Sequence, residues 1–304
     1  MAMAIIDDIK RAYQQGSMLM KLIFINIGVF VLLHVVALCA LLFNLQGADL
    51  LQWVELPSDW WLVLTRPWTL VTYMFAHYGL LHILFNMLWL YWLGRIFMEF
   101  FSPKQLTGLY LMGGWGGAAS YLLAYNLLPY FAGSHGMLIG ASASVIAIVV
   151  AVAVYAPDYK IGLLFLGEVA IKWVALITVL IAVFSLEGGN AGGNIAHIGG
   201  AIVGAWYAMS IKSGRDITRL LNAVIDAVVG IFNGRSLPRF ERPVRKQASK
   251  GTSSQRQDGS HRPADTVSEE ELDIILDKIK AAGYDALTDE EKDKLFKASR
   301  RRTP

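Results

Sequence analysis

Six apolar runs constrain this chain more than any other feature of its sequence. The first run, at residues 22–43, contains no Asp, Glu, Lys or Arg, and about 20 apolar residues are enough for an α-helix to cross a bilayer. Five further runs follow at residues 80–97, 106–128, 140–155, 169–186 and 195–211. The pattern predicts an all-α, polytopic membrane protein, a six-transmembrane-helix bundle with a short helical cytoplasmic tail.

The overall composition agrees with a membrane-embedded core. Hydrophobic residues make up 55% of the chain, and the mean hydropathy is +0.45. The first run is too long for a signal peptide and is not promptly followed by a small-residue cleavage pattern, so we interpret it as a retained anchor. It contains Cys39, the single cysteine of the chain, so intramolecular disulfides and Cys-ligated metal sites are excluded.

Basic residues predict the orientation of the helices. They flank alternate connections, at Lys10, Arg11, Lys21, Arg95, Lys104, Lys160 and Lys172. The connections at residues 126–139 and 187–194 contain neither Lys nor Arg. The positive-inside rule then places both termini in the cytoplasm and predicts a multi-pass protein of the cell membrane.

The expected organisation has five parts. These are a cytoplasmic N-terminal segment at residues 1–21, the six-helix transmembrane domain at 22–211, an amphipathic juxtamembrane segment at 212–233, a flexible basic linker at 234–265 and a small C-terminal helical hairpin at 266–304. Apolar residues at helical spacing predict that the juxtamembrane segment lies on the membrane surface.

The C-terminal hairpin is predicted from two capping boxes, formed by Ser268 with Glu271 and by Thr288 with Glu291. A hairpin of about 35 residues buries too little apolar surface to be stable alone. We therefore expect it to bind a protein partner, to self-associate or to dock elsewhere.

Four polar side chains lie near the starts of the second, fourth and sixth runs: His82, Asn86, Ser142 and His197. With the predicted topology these runs all begin at the outer face, so the four residues share one depth, at most about 10 Å below the boundary. Polar groups at membrane depth are costly and indicate a functional site. Taken singly, each of them is more typical of a structural hydrogen bond between helices.

Small residues predict that the fourth and sixth runs approach closely. They occur four apart, as Gly140 with Ser144 and as Gly200 with Gly204. This approach would bring Ser142 within hydrogen-bond reach of His197, and a neutral imidazole is the usual base that activates a serine. Because the runs contain no well-placed Asp, a Ser-His dyad is expected. His82, Asn86 and a backbone N–H could stabilise an oxyanion.

Three motifs in this order resemble the rhomboid intramembrane serine proteases: HxxxN at the start of the second run, GxS at the start of the fourth and AHxGGxxxG on the sixth. The resemblance covers roughly residues 68–209. It implies Ser142 as nucleophile, His197 as general base and His82 with Asn86 as the oxyanion-stabilising pair. It also implies an endopeptidase that cleaves membrane proteins near the outer end of a transmembrane segment.

The resemblance further implies no metal and no cofactor. The expected partners are membrane-protein substrates with a transmembrane segment and the lipid bilayer, and nucleic acid is not expected.

Two positions depart from the family pattern. Glycine commonly follows the nucleophile and an aromatic residue often lies four positions after it, whereas this chain has Ala143 and Ile146. These departures favour the alternative of a catalytically inactive rhomboid-like protein that binds membrane clients.

A six-span transporter is a third hypothesis, but the runs contain almost none of the midplane charges typical of transporters.

Overall fold

The structure is a computed structural model that describes residues 16–45, 50–163 and 167–232, with isolated positions between 275 and 295. The chain divides into two compact units, Met1–Arg239 and Phe240–Pro304. The described elements of the first unit are, in order, α1 (Met18–Leu42), α2 (Leu51–Val54), β1 (Leu56–Pro57), α3 (Trp60–Thr65), α4 (Thr69–Thr72), α5 (Leu80–Phe100), α6 (Pro103–Leu127), a 3₁₀ turn (Pro129–Phe131), β2 (Met137–Leu138), α7 (Ser142–Tyr155), β3 (Lys160–Leu163), β4 (Gly167–Ala170), α8 (Ile171–Phe184), α9 (Ala191–Lys212) and α10 (Arg219–Phe232).

Each of the six apolar runs forms a helix, but the helices differ in length and hydropathy. Among the described helices, α1 and α5 are long and apolar enough to cross a membrane, judged by length and composition. Helices α7 and α8 are apolar but have 14 residues each. Helices α6 and α9 are longer, yet they are rich in glycine and alanine. These small residues lower the hydropathy of a helix but allow its backbone to approach a neighbouring helix closely.

Capping explains why two helices begin before their apolar runs. Ser17 caps α1, accepting a hydrogen bond from the N–H of Met20 at 3.4 Å. Ser102 and Gln105 form a capping box at the start of α6, and Pro103 occupies the first helical position. Both arrangements satisfy N–H groups that have no acceptor within the helix.

Helix α7 lies at the centre of the bundle and is buried along most of its length. Helix α9 approaches it at Gly200 and Gly204, where an added Cβ would collide with the carbonyl oxygens of Ala143 and Ala147. Gly140 does not contribute to this helix contact as expected, because it precedes α7 and adopts a φ of +121°. The close approach of α7 and α9 therefore depends on the two glycines of α9.

Two short antiparallel strand pairs lie in the connections between helices. Strand β1 pairs with β2, with Leu56 opposite Leu138, which ties the connection after α1 to the segment that leads into α7. Strands β3 and β4 form a hairpin before α8. Pairs of two to four residues are too short to produce a periodic sequence signal.

The described positions of the C-terminal unit include the second predicted capping box. The N–H of Thr288 donates to Glu291 Oε2 at 2.8 Å, and the N–H of Glu291 donates to Thr288 Oγ1 at 3.3 Å. The Lys278 ammonium, 2.9 Å from Glu291, and the Thr288 N–H lower the pKa of Glu291 to about 2. Residues 1–15, the linker at 234–265, and Ser268 with Glu271 lie outside the described residues.

Candidate active site

Ser142 and His197, the residues expected to form a dyad, lie within hydrogen-bond distance. Ser142 is the first residue of α7, and His197 lies in the second turn of α9. The distance between His197 Nε2 and Ser142 Oγ is 2.8 Å, which is short enough for direct proton transfer. Gly200, one turn after His197, contacts the backbone of Ala143, one residue after Ser142. The same helix contact therefore sets the distance between the two side chains.

The position of Ser142 at a helix N-terminus provides hydrogen-bond donors. The first backbone bond into α7 runs from the N–H of Val145 to the carbonyl of Ala141. The N–H groups of Ser142, Ala143 and Ser144 come before this bond and have no acceptor in the preceding turn of helix. Because the helix dipole is positive at this end, these groups favour an anion.

His82 lies beside the backbone immediately before the serine. An added Cβ at Gly140 would be 2.8 Å from His82 Nε2 and 4.0 Å from Ser142 Oγ. Gly140 also has a φ of +121°, which side chains rarely adopt, and its N–H donates to the carbonyl of Tyr73 at 2.9 Å. A glycine at this position therefore allows the imidazole to lie close to the hydroxyl.

Asn86 lies one turn after His82 and donates from Nδ2 to the backbone carbonyl of His82 at 2.9 Å. Its amide nitrogen carries a second hydrogen that this bond does not use. Both residues line an open cleft of about 360 Å³ between α5, α7 and α8. The cleft is lined by Leu81, His82, Phe85, Asn86, Trp89, Ser142, Val145, Ile146 and Thr178.

The walls of this cleft are mostly apolar. Thr178 directs its hydroxyl to the carbonyl of Val174 at 2.8 Å, so its donor is already used. Ile146, which occupies the position of the expected aromatic residue, forms part of the wall. Among the residues described, no group of three or more His, Cys, Asp or Glu side chains is arranged to hold a metal ion.

A third histidine, His77, lies beside the site and was not found by sequence reasoning. It is fully buried, and its ring contacts His82 edge-on with the centroids 5.0 Å apart. Its Nε2 accepts a long hydrogen bond of 3.5 Å from the N–H of Ala141. His77 lies in the connection before α5, where no helical periodicity indicates which side chains are buried.

A hydrogen-bonded network, also absent from the sequence prediction, supports the segment before α5. Asn26 of α1 donates to the hydroxyl of Tyr110 at 3.1 Å, and Tyr110 donates to the carbonyl of Met74 at 2.8 Å. The preceding carbonyl, of Tyr73, accepts the N–H of Gly140. Helices α1 and α6 thereby hold the backbone that positions the turn before Ser142.

Comparison with known proteins identifies the central part of the chain. Residues 64–213 match the family model of the rhomboid domain, and residues 266–301 match a family of unknown function, DUF6576. The chain is 30% identical over 147 residues to presenilin-associated rhomboid-like protein A, mitochondrial, of Danio rerio, covering 47% of this chain and 37% of that protein.

Two further relatives match a similar length. RHOMBOID-like protein 12, mitochondrial, of Arabidopsis thaliana is 30% identical over 161 residues, covering 49% of this chain and 48% of that protein. The presenilin-associated rhomboid-like protein, mitochondrial, of Homo sapiens is 26% identical over 152 residues, covering 48% and 38%. The match thus spans less than half the length of each of these relatives.

These relatives correct one prediction. All three are named as mitochondrial proteins, so the predicted location in the cell membrane with cytoplasmic termini is wrong. The physical reason is that basic residues orient helices relative to a bilayer. They do not specify which membrane the protein enters.

The matched rhomboid domain includes helices α5 to α9 and the residues Ser142, His197, His82 and Asn86. The domain match and the similarity to presenilin-associated rhomboid-like proteins agree with the resemblance given by the three sequence motifs. Residues 64–213 of this chain therefore form a rhomboid domain.

Proposed function

We propose that this protein is an intramembrane serine endopeptidase that cleaves transmembrane segments of membrane proteins with Ser142 and His197. The observation that carries the proposal is the 2.8 Å distance between His197 Nε2 and Ser142 Oγ at an apolar cleft. A hydroxyl hydrogen-bonded to imidazole is the arrangement that serine acyl transfer requires. The rhomboid domain supports the same class of reaction.

In the proposed reaction, His197 Nε2 takes the hydroxyl proton as Ser142 Oγ attacks the scissile carbonyl carbon. The protonated imidazole then gives that proton to the leaving amine as the peptide C–N bond breaks. Water hydrolyses the acyl-enzyme in a second step, with His197 again acting as base. The oxyanion that forms at each step is stabilised by N–H groups at the start of α7 together with His82 and Asn86.

The position of Ala143 supports activity over the inactive alternative. Its methyl group lies on the α6 side of α7, because an added Cβ at Gly117 would be 2.6 Å from it. Ala143 is 2% exposed and does not line the cleft. The extra methyl relative to the common glycine is accommodated by Gly117 and does not crowd the oxyanion position.

The proposed substrate is a transmembrane segment that enters the cleft from the bilayer. Leu81, Phe85 and Trp89 recur at helical spacing along α5 and form an apolar wall that leads to Ser142. We propose that the six helices formed by the apolar runs all cross the membrane, forming the transmembrane domain at residues 22–211 of the five-part organisation. The short helix α7 is accommodated because neighbouring helices bury it along most of its length.

A fluorophosphonate probe tests the proposal without knowledge of the natural substrate. We expect labelling of the purified protein in mild detergent, because the probe reacts with a serine hydroxyl activated by a base. Ser142→Ala should abolish labelling. Ser144→Ala is the matched control and should retain it, because Ser144 is 1% exposed and its hydroxyl has no partner among the described residues.

A folded wild-type protein that is not labelled and does not cut a helix-destabilised transmembrane substrate would contradict the proposal. It would favour the inactive rhomboid-like protein that binds membrane clients.

A further inference from the structure

Helix α10 turns two of its polar side chains, Asn222 and Asp226, toward α6. Asn222 and Asp226 lie four residues apart on one face. Asp226 Oδ2 is 2.6 Å from Lys104 Nζ of α6, and Asn222 Nδ2 donates to Thr218 Oγ1 at 3.1 Å. Gly108 of α6 makes room for this face, because an added Cβ would be 2.6 Å from Thr218 Cβ and 3.1 Å from Asn222 Nδ2.

The start of α10 is held firmly, which determines the rotation of the helix. Asp216 Oδ1 accepts hydrogen bonds from the N–H and the hydroxyl of Thr218, at 2.8 and 2.6 Å. Asp216 Oδ2 accepts from Gln105 Nε2 at 3.0 Å. Gln105 is itself part of the capping box of α6. These bonds tie α10 to the first turn of α6.

The outward face of α10 is apolar. Leu220, Val224 and Val228 form a stripe at intervals of four residues and are 78%, 52% and 47% exposed. A helix on the surface of a soluble domain has the opposite arrangement, with its apolar stripe against the protein and its polar residues in water. The exposed stripe therefore needs an apolar environment outside this bundle.

Helix α10 lies at the end of the bundle remote from Ser142. The helix follows the end of α9 after six residues and contacts the first turns of α6. Lys212, at the end of α9, donates to the carbonyl of Val154 near the end of α7. Ser142 starts α7, so α10 lies at the opposite end of a 14-residue helix, about 20 Å away at 1.5 Å per residue.

The residues beside α10 fit a membrane surface. Lys212, Arg215 and Arg219 are exposed at this end of the bundle, where transmembrane helices leave the hydrocarbon region. Basic side chains at that level meet anionic headgroups, while an apolar helix face at the same level meets acyl chains. A lipid surface satisfies both features together.

We propose that α10 is an interfacial helix whose stripe of Leu220, Val224 and Val228 inserts among lipid acyl chains. On the opposite face, Asp226 pairs with Lys104 of α6 and Asn222 packs near Gly108. The polar face binds the protein and the apolar face binds the bilayer. The helix thereby holds one end of the bundle, the end remote from Ser142, at the level of the membrane surface. This role does not depend on the proposed protease activity.

Site-specific fluorescence quenching in proteoliposomes tests the proposal on the full-length chain. Cys39, the single cysteine, is first replaced by Ser, and bimane is attached through Val224→Cys. We expect spin-labelled lipid to quench this probe strongly and aqueous iodide to quench it weakly. Leu84→Cys on the exposed face of α5 is the lipid control, and Ser213→Cys in the exposed turn after α9 is the aqueous control.

Two results would overturn the proposal. Strong quenching by iodide would place the stripe in water, and protection from both quenchers would show that protein covers it, either a second copy or the C-terminal unit. If Val224→Cys disturbs folding, Val228→Cys reports on the same stripe, and elution as a monodisperse species verifies the fold. The result expected at either position is the quenching pattern of the Leu84 control.

Discussion

At the scale of single residues, the site depends on two glycines whose backbone lies closer to neighbouring atoms than a Cβ would permit. Gly140 lies against His82, and Gly200 lies against the backbone of Ala143, next to Ser142. Each glycine positions a neighbouring functional group without contributing chemistry of its own. Asn86, by contrast, is expected to act directly on the developing oxyanion.

Asn86→Ala should lower kcat by about a hundredfold, or about 3 kcal/mol, and leave KM nearly unchanged, because an oxyanion donor acts in the transition state. Steady-state cleavage of a transmembrane substrate in detergent measures both constants. The matched control is Asn126→Ala, since Asn126 also donates to backbone carbonyls, of Ser58 and Leu122, but lies outside the cleft. Equal losses in kcat for the two variants would assign Asn86 a structural role.

Gly140→Ala should reduce both fluorophosphonate labelling and thermal stability. The new Cβ would meet His82 Nε2 at 2.8 Å, and the backbone at a φ of +121° would be strained by about 1 to 3 kcal/mol. Gly133→Ala provides the control, because Gly133 has a φ of +76° but no atoms within 4 Å of an added Cβ. If the two variants are labelled at the same rate, contact with His82 does not matter for the site.

At the scale of elements, the contact between α7 and α9 holds the dyad together. Gly200 and Gly204 face the carbonyl oxygens of Ala143 and Ala147. Backbone oxygens in a central buried helix cannot move aside as a flexible side chain can. The distance between Ser142 and His197 therefore depends on the absence of Cβ atoms along this face of α9.

Gly204→Ala should destabilise the bundle by about 1 to 3 kcal/mol, the usual cost of overpacking. Thermal unfolding in detergent measures the loss, and fluorophosphonate labelling should fall because α9 shifts away from α7. Gly28→Ala on α1 is the control, since an added Cβ there has nothing within 4 Å. That variant should be neutral or slightly stabilising, given the higher helix propensity of alanine. A Gly204→Ala protein as stable as Gly28→Ala would refute this account of the contact.

At the scale of the whole molecule, the proposed catalytic site and the C-terminal segment belong to different compact units of the chain. The first unit contains the cleft, and α10 leaves the bundle at the end remote from Ser142. The second unit begins beyond that helix and matches a different family from the rhomboid domain. We expect the second unit to serve partner binding or self-association, with no part in bond cleavage.

Truncation after Asn233 should leave cleavage of a transmembrane substrate in detergent nearly unchanged. It should alter the size of complexes formed in cells, because the proposed partner-binding segment is gone. Cleavage rate and size-exclusion elution measure the two effects, with truncated Ser142→Ala as the inactive control. A well-folded truncation that loses fluorophosphonate labelling would show that the tail supports the site.

The sequence by itself determined where the helices of the six apolar runs occur and which polar residues are candidates for the site. Hydropathy and small-residue spacing are local, periodic signals, so Ser142, His197, His82 and Asn86 could be named before their distances were known. Capping by Ser17 and Ser102 shifted two helix starts, because hydrogen bonding and not hydropathy decides where a helix begins.

Only the tertiary structure decided which faces of the helices contact one another. It brought buried His77 against His82 and turned the Ala143 methyl toward Gly117. It also turned the polar face of α10 inward, onto Lys104. These contacts join residues that are not neighbours on one helix, and no periodic pattern in a single segment encodes its partner. The physical reason is that rotation and register of packed helices follow from close packing of the whole bundle.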